Sequence, residues 1–128
     1  MDFNKVAVDY DVLAPDGSEI RLLSQTSRGS MVHCTLNPDE VSMVVAHRTV
    51  EEVWYFLDGS GEVWRKHGDD ERVVKVSTGV SLSIPARAHF QFRCTGADPL
   101  RFVIVTMPPW PGEDEAYRVR DHWPPTDR

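Results

Sequence analysis

Histidine and glutamate side chains at separate places in the chain could bind a metal ion or transfer protons. His47 precedes the pair Glu51 and Glu52 at the start of the apolar run VWYFL, and His89 follows the turn IPAR further along the chain. Imidazole and carboxylate groups are common ligands of catalytic divalent metals. Imidazole also titrates near neutral pH, which suits a general acid or base. The residue types therefore allow metal chemistry or metal-free proton transfer, provided that the fold brings them together.

Short β-type segments must position these side chains. The segments are KVAVDY, EIRLLSQ, SMVHCTL, VSMVV, EVWYFL, EVWRK, RVVKV, VSLSI, HFQFRC and LRFVIVTM, and turn signals separate them. No long segment shows helical periodicity with convincing caps. The pattern predicts an all-β fold, a small antiparallel β-sandwich or barrel. We expect a tight hairpin at Asp58-Gly59 and a second hairpin around His67 to Glu71.

Length and composition are typical of one globular domain, which we predict to span residues 1–128. The formal net charge is −6 and no Lys/Arg-rich run occurs, which argues against nucleic-acid binding. We see no signal peptide and no apolar run of membrane-spanning length, so we expect a cytoplasmic protein. Cys34 and Cys94 fit no metal-binding spacing and are expected to be reduced thiols, with a secreted disulfide as the alternative.

The C-terminal part from Pro108 differs in character from the rest. The stretch MPPWPGEDEAYRVRDHWPP is rich in proline, which cannot donate a hydrogen bond to a sheet. We therefore expect residues 108–128 to form an irregular strap over the domain. Trp110 and Trp123 could anchor this strap, at the mouth of a barrel or at a subunit contact.

The spacing from Pro38 onward resembles the two motifs of the cupin family of small β-barrels. In the first motif, Pro38-Asp39 is followed by five residues, a His-x-His slot at 45–47, four residues, Glu52, six residues and Gly59. In the second motif, Gly79 is followed by VSLSI, Pro85 and, after three more residues, His89. The resemblance covers about residues 30–107 and implies a jelly-roll barrel. Its register selects Glu52 rather than Glu51.

The resemblance implies a metal site and also shows where the chain departs from the family. Cupins commonly hold a metal with three histidines and one glutamate, and here His47, Glu52 and His89 match, whereas Val45 replaces the first histidine. The remaining set would bind a divalent ion such as iron, manganese, nickel or zinc and leave positions open. His33 on a neighbouring strand is a further possible ligand. Asp39 and Arg87 replace glycines of the motifs, and Asp tolerates the left-handed conformation.

Strand alternation predicts the residues of a substrate pocket. If Glu52 points inward, Trp54 and Phe56 do so too. If His89 points inward, Gln91 and Arg93 follow, and Arg93 could bind a carboxylate. In the alternative arrangement, the core of this last strand is filled by Phe90 and Phe92, and Arg93 faces solvent.

Both faces of VWYFL are apolar, so the outer face needs a second sheet, the strap or another subunit to cover it. The resemblance implies a homodimer. It also implies a metalloenzyme acting on a small organic acid or another oxygenated molecule, of dioxygenase, lyase or isomerase type. Two alternatives stay open: a metal-free isomerase or cyclase, and a non-catalytic module that binds a small molecule.

Overall fold

The chain folds into two antiparallel β-sheets. The structure is a computed structural model and describes residues 1–126. The first sheet contains, in spatial order, β1 (Val12–Leu13), β2 (Glu19–Gln25), β3 (Ser30–Leu36), β10 (Leu100–Met107), β5 (Glu51–Asp58) and β8 (Ser81–Ile84). The second contains β11 (Ala116–Arg118), β4 (Val45–His47), β9 (His89–Cys94), β6 (Ser60–His67) and β7 (Asp70–Ser77). The predicted all-β sandwich is confirmed. No helix among the described residues is long and apolar enough to cross a membrane.

The core lies between the sheets and is rich in aromatic rings. On β5, Trp54 and Phe56 are 2% and 0% exposed, whereas Val53 and Tyr55, which alternate with them, are 45% and 50% exposed. This is the period-two pattern of a strand with one buried face. Burial of each large apolar side chain contributes roughly 1.5–3 kcal/mol. The other large fully buried aromatic residues are Phe90, Phe92 and Phe102.

The Asp58-Gly59 turn is a corner between the sheets, so the prediction of a hairpin there is wrong. It connects β5 to β6, and these strands pair in different sheets. Gly59 has φ +80°, and a Cβ atom there would collide with the backbone of Pro99. The second hairpin is confirmed, because β6 and β7 pair up to His67 and Asp70 on either side of the turn.

Three segments differ from the predicted strands. Most of KVAVDY stays outside the sheets, and its backbone carbonyls at Ala7 and Val8 accept hydrogen bonds from Arg21 at 2.9 and 2.7 Å. The run VSMVV contributes only its last residue to β4. The C-terminal part is not wholly irregular, because β11 pairs with β4. In each case the strand pairing available in the folded chain, rather than local propensity, determines whether the segment forms a strand.

Two non-glycine residues adopt the left-handed conformation at the motif positions where glycine is replaced. Asp39 has φ 67° and Arg87 has φ 69°. This conformation costs an ordinary L-residue about 1–2 kcal/mol. The turns of both motifs therefore keep their backbone shape although the glycines are absent. Cys34 and Cys94 are buried and free.

Candidate functional site

A cavity of about 160 Å³ opens between the sheets. Side chains of β1 to β5, β9 and β10 line it, together with the turn after β1 and Trp110. Its lining is mainly apolar and includes Val32, Val45, Trp54, Phe90 and Ile104. The polar lining residues are Asp16, His47, Glu52 and Thr106. This composition is typical of a small-molecule site, in which a few polar groups orient a ligand within apolar walls.

His47 and Glu52 face each other inside this cavity, as the resemblance to the first cupin motif implied. Nδ1 of His47 lies 3.9 Å from Oε2 of Glu52, and each side chain is 5% exposed. The imidazole packs edge-on against Phe90 and Trp110, with ring centroids 5.2 and 5.0 Å away. Nδ1 is buried and has no hydrogen-bond partner. A buried polar atom without a partner is costly, so a ligand at this point would be stabilised.

Burial shifts both ionisable groups toward their neutral forms. Burial raises the pKa of Glu52 to about 8; the indole N–H of Trp54 opposes this shift, and the charges of Asp16 and Glu115 add to it. Burial lowers the pKa of His47 to about 4, against the influence of Glu115. A low-dielectric cavity penalises the charged form of each group. At neutral pH the pair therefore consists of a protonated carboxyl group and a neutral imidazole.

Asp16 is a cavity residue that the sequence analysis did not find. It belongs to the turn PDGS between β1 and β2, and its Oδ1 accepts hydrogen bonds from the Ser18 backbone N–H at 3.0 Å and the Ser18 hydroxyl at 2.6 Å. Burial raises its pKa, although both bonds from Ser18 oppose this. The residue types of the segment indicated only a turn. Nothing in the local pattern marks the carboxyl group as buried.

His89 does not converge with His47 and Glu52, so the predicted three-residue site is not assembled. On β9 the core is filled by Phe90 and Phe92, which places His89, Gln91 and Arg93 on the opposite face of the strand. The alternative arrangement of this strand is the one observed. Burying two phenylalanine rings between the sheets gains apolar contact that a histidine and an arginine could not provide.

Gln91 and Arg93, both expected in the pocket, instead contact the C-terminal segment. The Gln91 amide donates to the carbonyls of Ser42 and Trp123, each at 2.8 Å, and accepts from the backbone N–H of Trp123 at 2.7 Å. The Arg93 guanidinium binds Glu62 at 2.6 Å and lies over the Trp123 ring. These contacts give both residues a structural role at the outer surface of the second sheet.

The other candidates divide between the cavity and its surroundings. Trp54 lines the cavity, whereas Phe56 is buried in the core outside it. His33 lies on β3, outside the cavity lining, and its pKa is lowered by burial and then by Arg21 and Arg101. His33 is therefore not placed to complete a metal site with His47.

The donors in the cavity do not fit the predicted metal ion. Within residues 1–126, no group of three or more His, Cys, Asp or Glu side chains is arranged to hold a metal. Val45 lines the cavity at the position of the missing first histidine, and one oxygen of Glu52 already accepts a 2.9 Å hydrogen bond from Trp54 Nε1. Catalytic metal sites commonly use three protein ligands. Of the three predicted ligands, His47 and Glu52 are the two that lie in this cavity, and the described residues bring no third donor into a metal-binding arrangement with them.

Comparisons with known proteins identify the fold family. The family model described as "Cupin domain" matches residues 32–106, so the chain belongs to the cupin family. An uncharacterized protein of Methanocaldococcus jannaschii is 25% identical over 118 residues, which cover 85% of this chain and 91% of the relative. An uncharacterized conserved protein from Klebsiella pneumoniae with a double-stranded β-helix domain is 16% identical, with TM-score 0.67 and coverage of 85% and 91%.

An oxalate decarboxylase of Bacillus subtilis is similar in fold to this chain. The TM-score is 0.75 and the identity 15%, and the match covers 90% of this chain and 32% of the decarboxylase. Another structure of the Bacillus subtilis enzyme is described with Mn(II) centres. This likeness establishes the fold that the two proteins share.

Proposed function

We propose that this cupin binds a small, largely apolar molecule in the cavity between its sheets, with the polar group of the molecule held by Glu52 and His47. The observation that carries the proposal is the unpartnered Nδ1 of His47, which faces a buried carboxyl group 3.9 Å away inside an apolar cavity. A ligand atom between these groups would hydrogen-bond to both and supply the missing partner.

The size of the cavity limits the ligand. A cavity of about 160 Å³ is close to the volume of an engineered apolar protein cavity that accepts benzene. The cavity therefore suits a molecule with a hydrocarbon part of about that size and one polar group. The arginine expected to bind a carboxylate, Arg93, pairs with Glu62 on the outer surface. This removes the support for a negatively charged organic acid.

Binding of a neutral probe tests the proposal. Calorimetric titration with benzyl alcohol should show saturable binding at one site of the folded protein. Val32→Phe adds a ring to the cavity wall and should weaken this binding at least about tenfold. Val53→Phe makes the same change on an exposed face of β5 and serves as the matched control, because Val53 is 45% exposed and outside the cavity.

The pattern across these variants decides the outcome. Loss of binding in Val32→Phe with retention in Val53→Phe supports a ligand in the cavity. Equal binding by both variants, or no binding by the wild type, would contradict it. Circular dichroism confirms that each variant is folded before binding is compared.

A second candidate function is metal-free proton transfer, such as an isomerisation. The same pair favours it, because a carboxyl group and an imidazole in one dry cavity can act as acid and base on a bound molecule. Proton NMR of butanone in D₂O with EDTA would test it, since deuterium exchange next to the carbonyl reports proton abstraction. Catalysed exchange that is lost in both Glu52→Gln and His47→Ala supports an enzyme; exchange at the buffer rate excludes it for this probe.

The predicted divalent metal depends on a third ligand that the described residues do not bring to His47 and Glu52. The proposal therefore assigns no step to a metal. Elemental analysis of protein prepared without chelator tests this directly: one bound ion per chain, lost in His47→Ala, would restore the metalloenzyme hypothesis.

A further inference from the structure

The ionisable side chains that line the cavity are two carboxyl groups and one imidazole. Asp16 and Glu52 both place carboxyl groups in the lining, at 9% and 5% residue exposure. Among the described residues of the lining there is no lysine or arginine. Buried carboxyl groups are stabilised by hydrogen-bond donors or by a positive charge. Asp16 has donors in Ser18, and Glu52 has one in Trp54, which leaves its second oxygen facing the cavity beside His47.

Aromatic rings complete the same wall. Trp54, Phe90 and Trp110 line the cavity, and Trp54 and Phe90 pack edge to face with centroids 5.4 Å apart. The face of an aromatic ring carries negative electrostatic potential and attracts an organic cation, most strongly when the ring is that of tryptophan. Carboxyl groups beside aromatic rings therefore favour a cation that also has an apolar body.

An unpartnered ring nitrogen, which is an acceptor in the tautomer protonated at Nε2, lies beside the carboxyl group of Glu52. Nδ1 of His47 is buried without a hydrogen-bond partner, on a side chain that is 5% exposed. A primary ammonium group carries three N–H donors. One such group can donate to Oε2 of Glu52 and to Nδ1 of His47, with a third donor left for another oxygen acceptor. A hydroxyl group carries one donor, so it can donate to only one of these two atoms.

We infer that the ligand of this cavity is a small organic amine, whose ammonium group is bound by Glu52 and His47 and whose hydrocarbon part lies against Trp54 and Phe90. This inference rests on the proposed function, because it names the chemical class of the molecule in the same cavity. An adjacent ammonium group favours the ionised form of Glu52, which releases its proton as the amine binds, whereas a carboxylate ligand finds no lysine or arginine among the described residues of the lining. A hydrated divalent metal ion requires several oxygen or nitrogen ligands, and this wall is mainly apolar.

Calorimetric titration with three probes that share a phenyl ring and one attached carbon tests the inference. Benzylamine, benzyl alcohol and benzoate differ only in the polar group, so their affinities isolate its contribution. Benzylamine should bind at least about tenfold more tightly than benzyl alcohol, and benzoate should show no binding. Glu52→Gln and Asp16→Asn keep the shape and the oxygen acceptor of each side chain. Glu52→Gln should weaken benzylamine at least about tenfold and Asp16→Asn by a smaller factor, whereas both should change benzyl alcohol less than about twofold.

The outcomes separate this inference from the proposed function. The inference of an amine ligand is overturned if benzyl alcohol binds as tightly as benzylamine, or if benzoate binds more tightly than benzylamine. Either result would leave a neutral or acidic ligand for the cavity. Failure of all three probes overturns the proposed function as well. Displacement of benzylamine by Mn²⁺ at a lower concentration than the amine itself would reveal a metal site and also overturn the inference. Should a variant fail to fold, the wild-type comparison of the three probes still decides.

Discussion

Trp54 donates its indole N–H to Oε1 of Glu52 across 2.9 Å, from a position two residues further along the same strand. Both side chains lie on the inner face of β5, so the bond orients the carboxyl group within the cavity. One oxygen is thereby occupied and the other faces His47. The strand itself orients the carboxyl group beside the imidazole, whereas burial between the sheets keeps this group protonated at neutral pH.

Stability should depend on pH through Glu52. The folded chain keeps the proton on this group up to about pH 8, whereas the ordinary value is 4.5, so the free energy of unfolding falls as pH rises between them. His47 acts in the opposite direction between about pH 4 and 6.5, because its folded pKa is lowered. The two trends offset each other up to about pH 6.5. A net fall of about 2 kcal/mol should follow between there and pH 8.

Denaturant unfolding at a series of pH values checks this expectation. Glu52→Gln cannot lose a proton and should remove the fall above pH 6.5, while it keeps an oxygen acceptor for Trp54. The exposed substitution Glu51→Gln on the same strand is the control and should leave the fall in place. Parallel curves for wild type and Glu52→Gln would show that Glu52 is ionised in the folded protein at neutral pH.

Val45→His should create a metal site in this chain. Val45 lies two residues before His47 on β4, is 3% exposed, and lines the same cavity. A histidine there would add a third ligand to His47 and Glu52, the number that catalytic metal sites commonly use. Elemental analysis after exposure to manganese or zinc should show about one ion per chain for the variant and much less for the wild type. The double variant Val45→His, His47→Ala should lose the ion; equal metal in wild type and Val45→His would contradict the two-donor description.

Gln91 should contribute to stability rather than to ligand binding. It is completely buried and hydrogen-bonds the backbone of Ser42 and of the C-terminal segment. Gln91→Met keeps a similar volume but leaves backbone groups of Ser42 and Trp123 without their partner. We expect a loss of about 2–4 kcal/mol in the free energy of unfolding and faster hydrogen exchange near Trp123. Gln25→Met, at an exposed position on β2, should be neutral; similar losses in both variants would argue against this role.

The homodimer remains a prediction from the sequence, and the outer face of β5 is where it can be tested. Val53 and Tyr55 are 45% and 50% exposed on this apolar face. Light scattering should give twice the chain mass of 14.5 kDa for the wild type. The pair Val53→Lys, Tyr55→Lys should give the single-chain mass, because two charges would be buried in the interface. Val73→Lys, equally exposed at 45% on β7, is the control; a monomeric wild type would contradict the prediction.

The sequence alone determined most of the strands and one half of the site. Residues two apart on β5 share a face, so an inward Glu52 implied an inward Trp54 and Phe56, and all three residues are buried. The resemblance to the first cupin motif implied that His47 and Glu52 share a site, and the structure has them 3.9 Å apart. The turn at Asp39 also followed from residue type, since aspartate tolerates the left-handed conformation that the structure shows. These features depend on local periodicity and turn chemistry.

Tertiary structure alone decided which face of β9 is inside and what else reaches the cavity. Alternation groups His89 with Gln91 and Arg93, but it does not say which group lies between the sheets. The phenylalanines occupy the core because aromatic burial stabilises the packed sheets, whereas a buried guanidinium would need a partner. Asp16 reaches the cavity from a turn whose position depends on contacts distant in sequence, such as the hydrogen bond from Met43 N–H to its carbonyl. Long-range packing of this kind leaves no local pattern in the sequence.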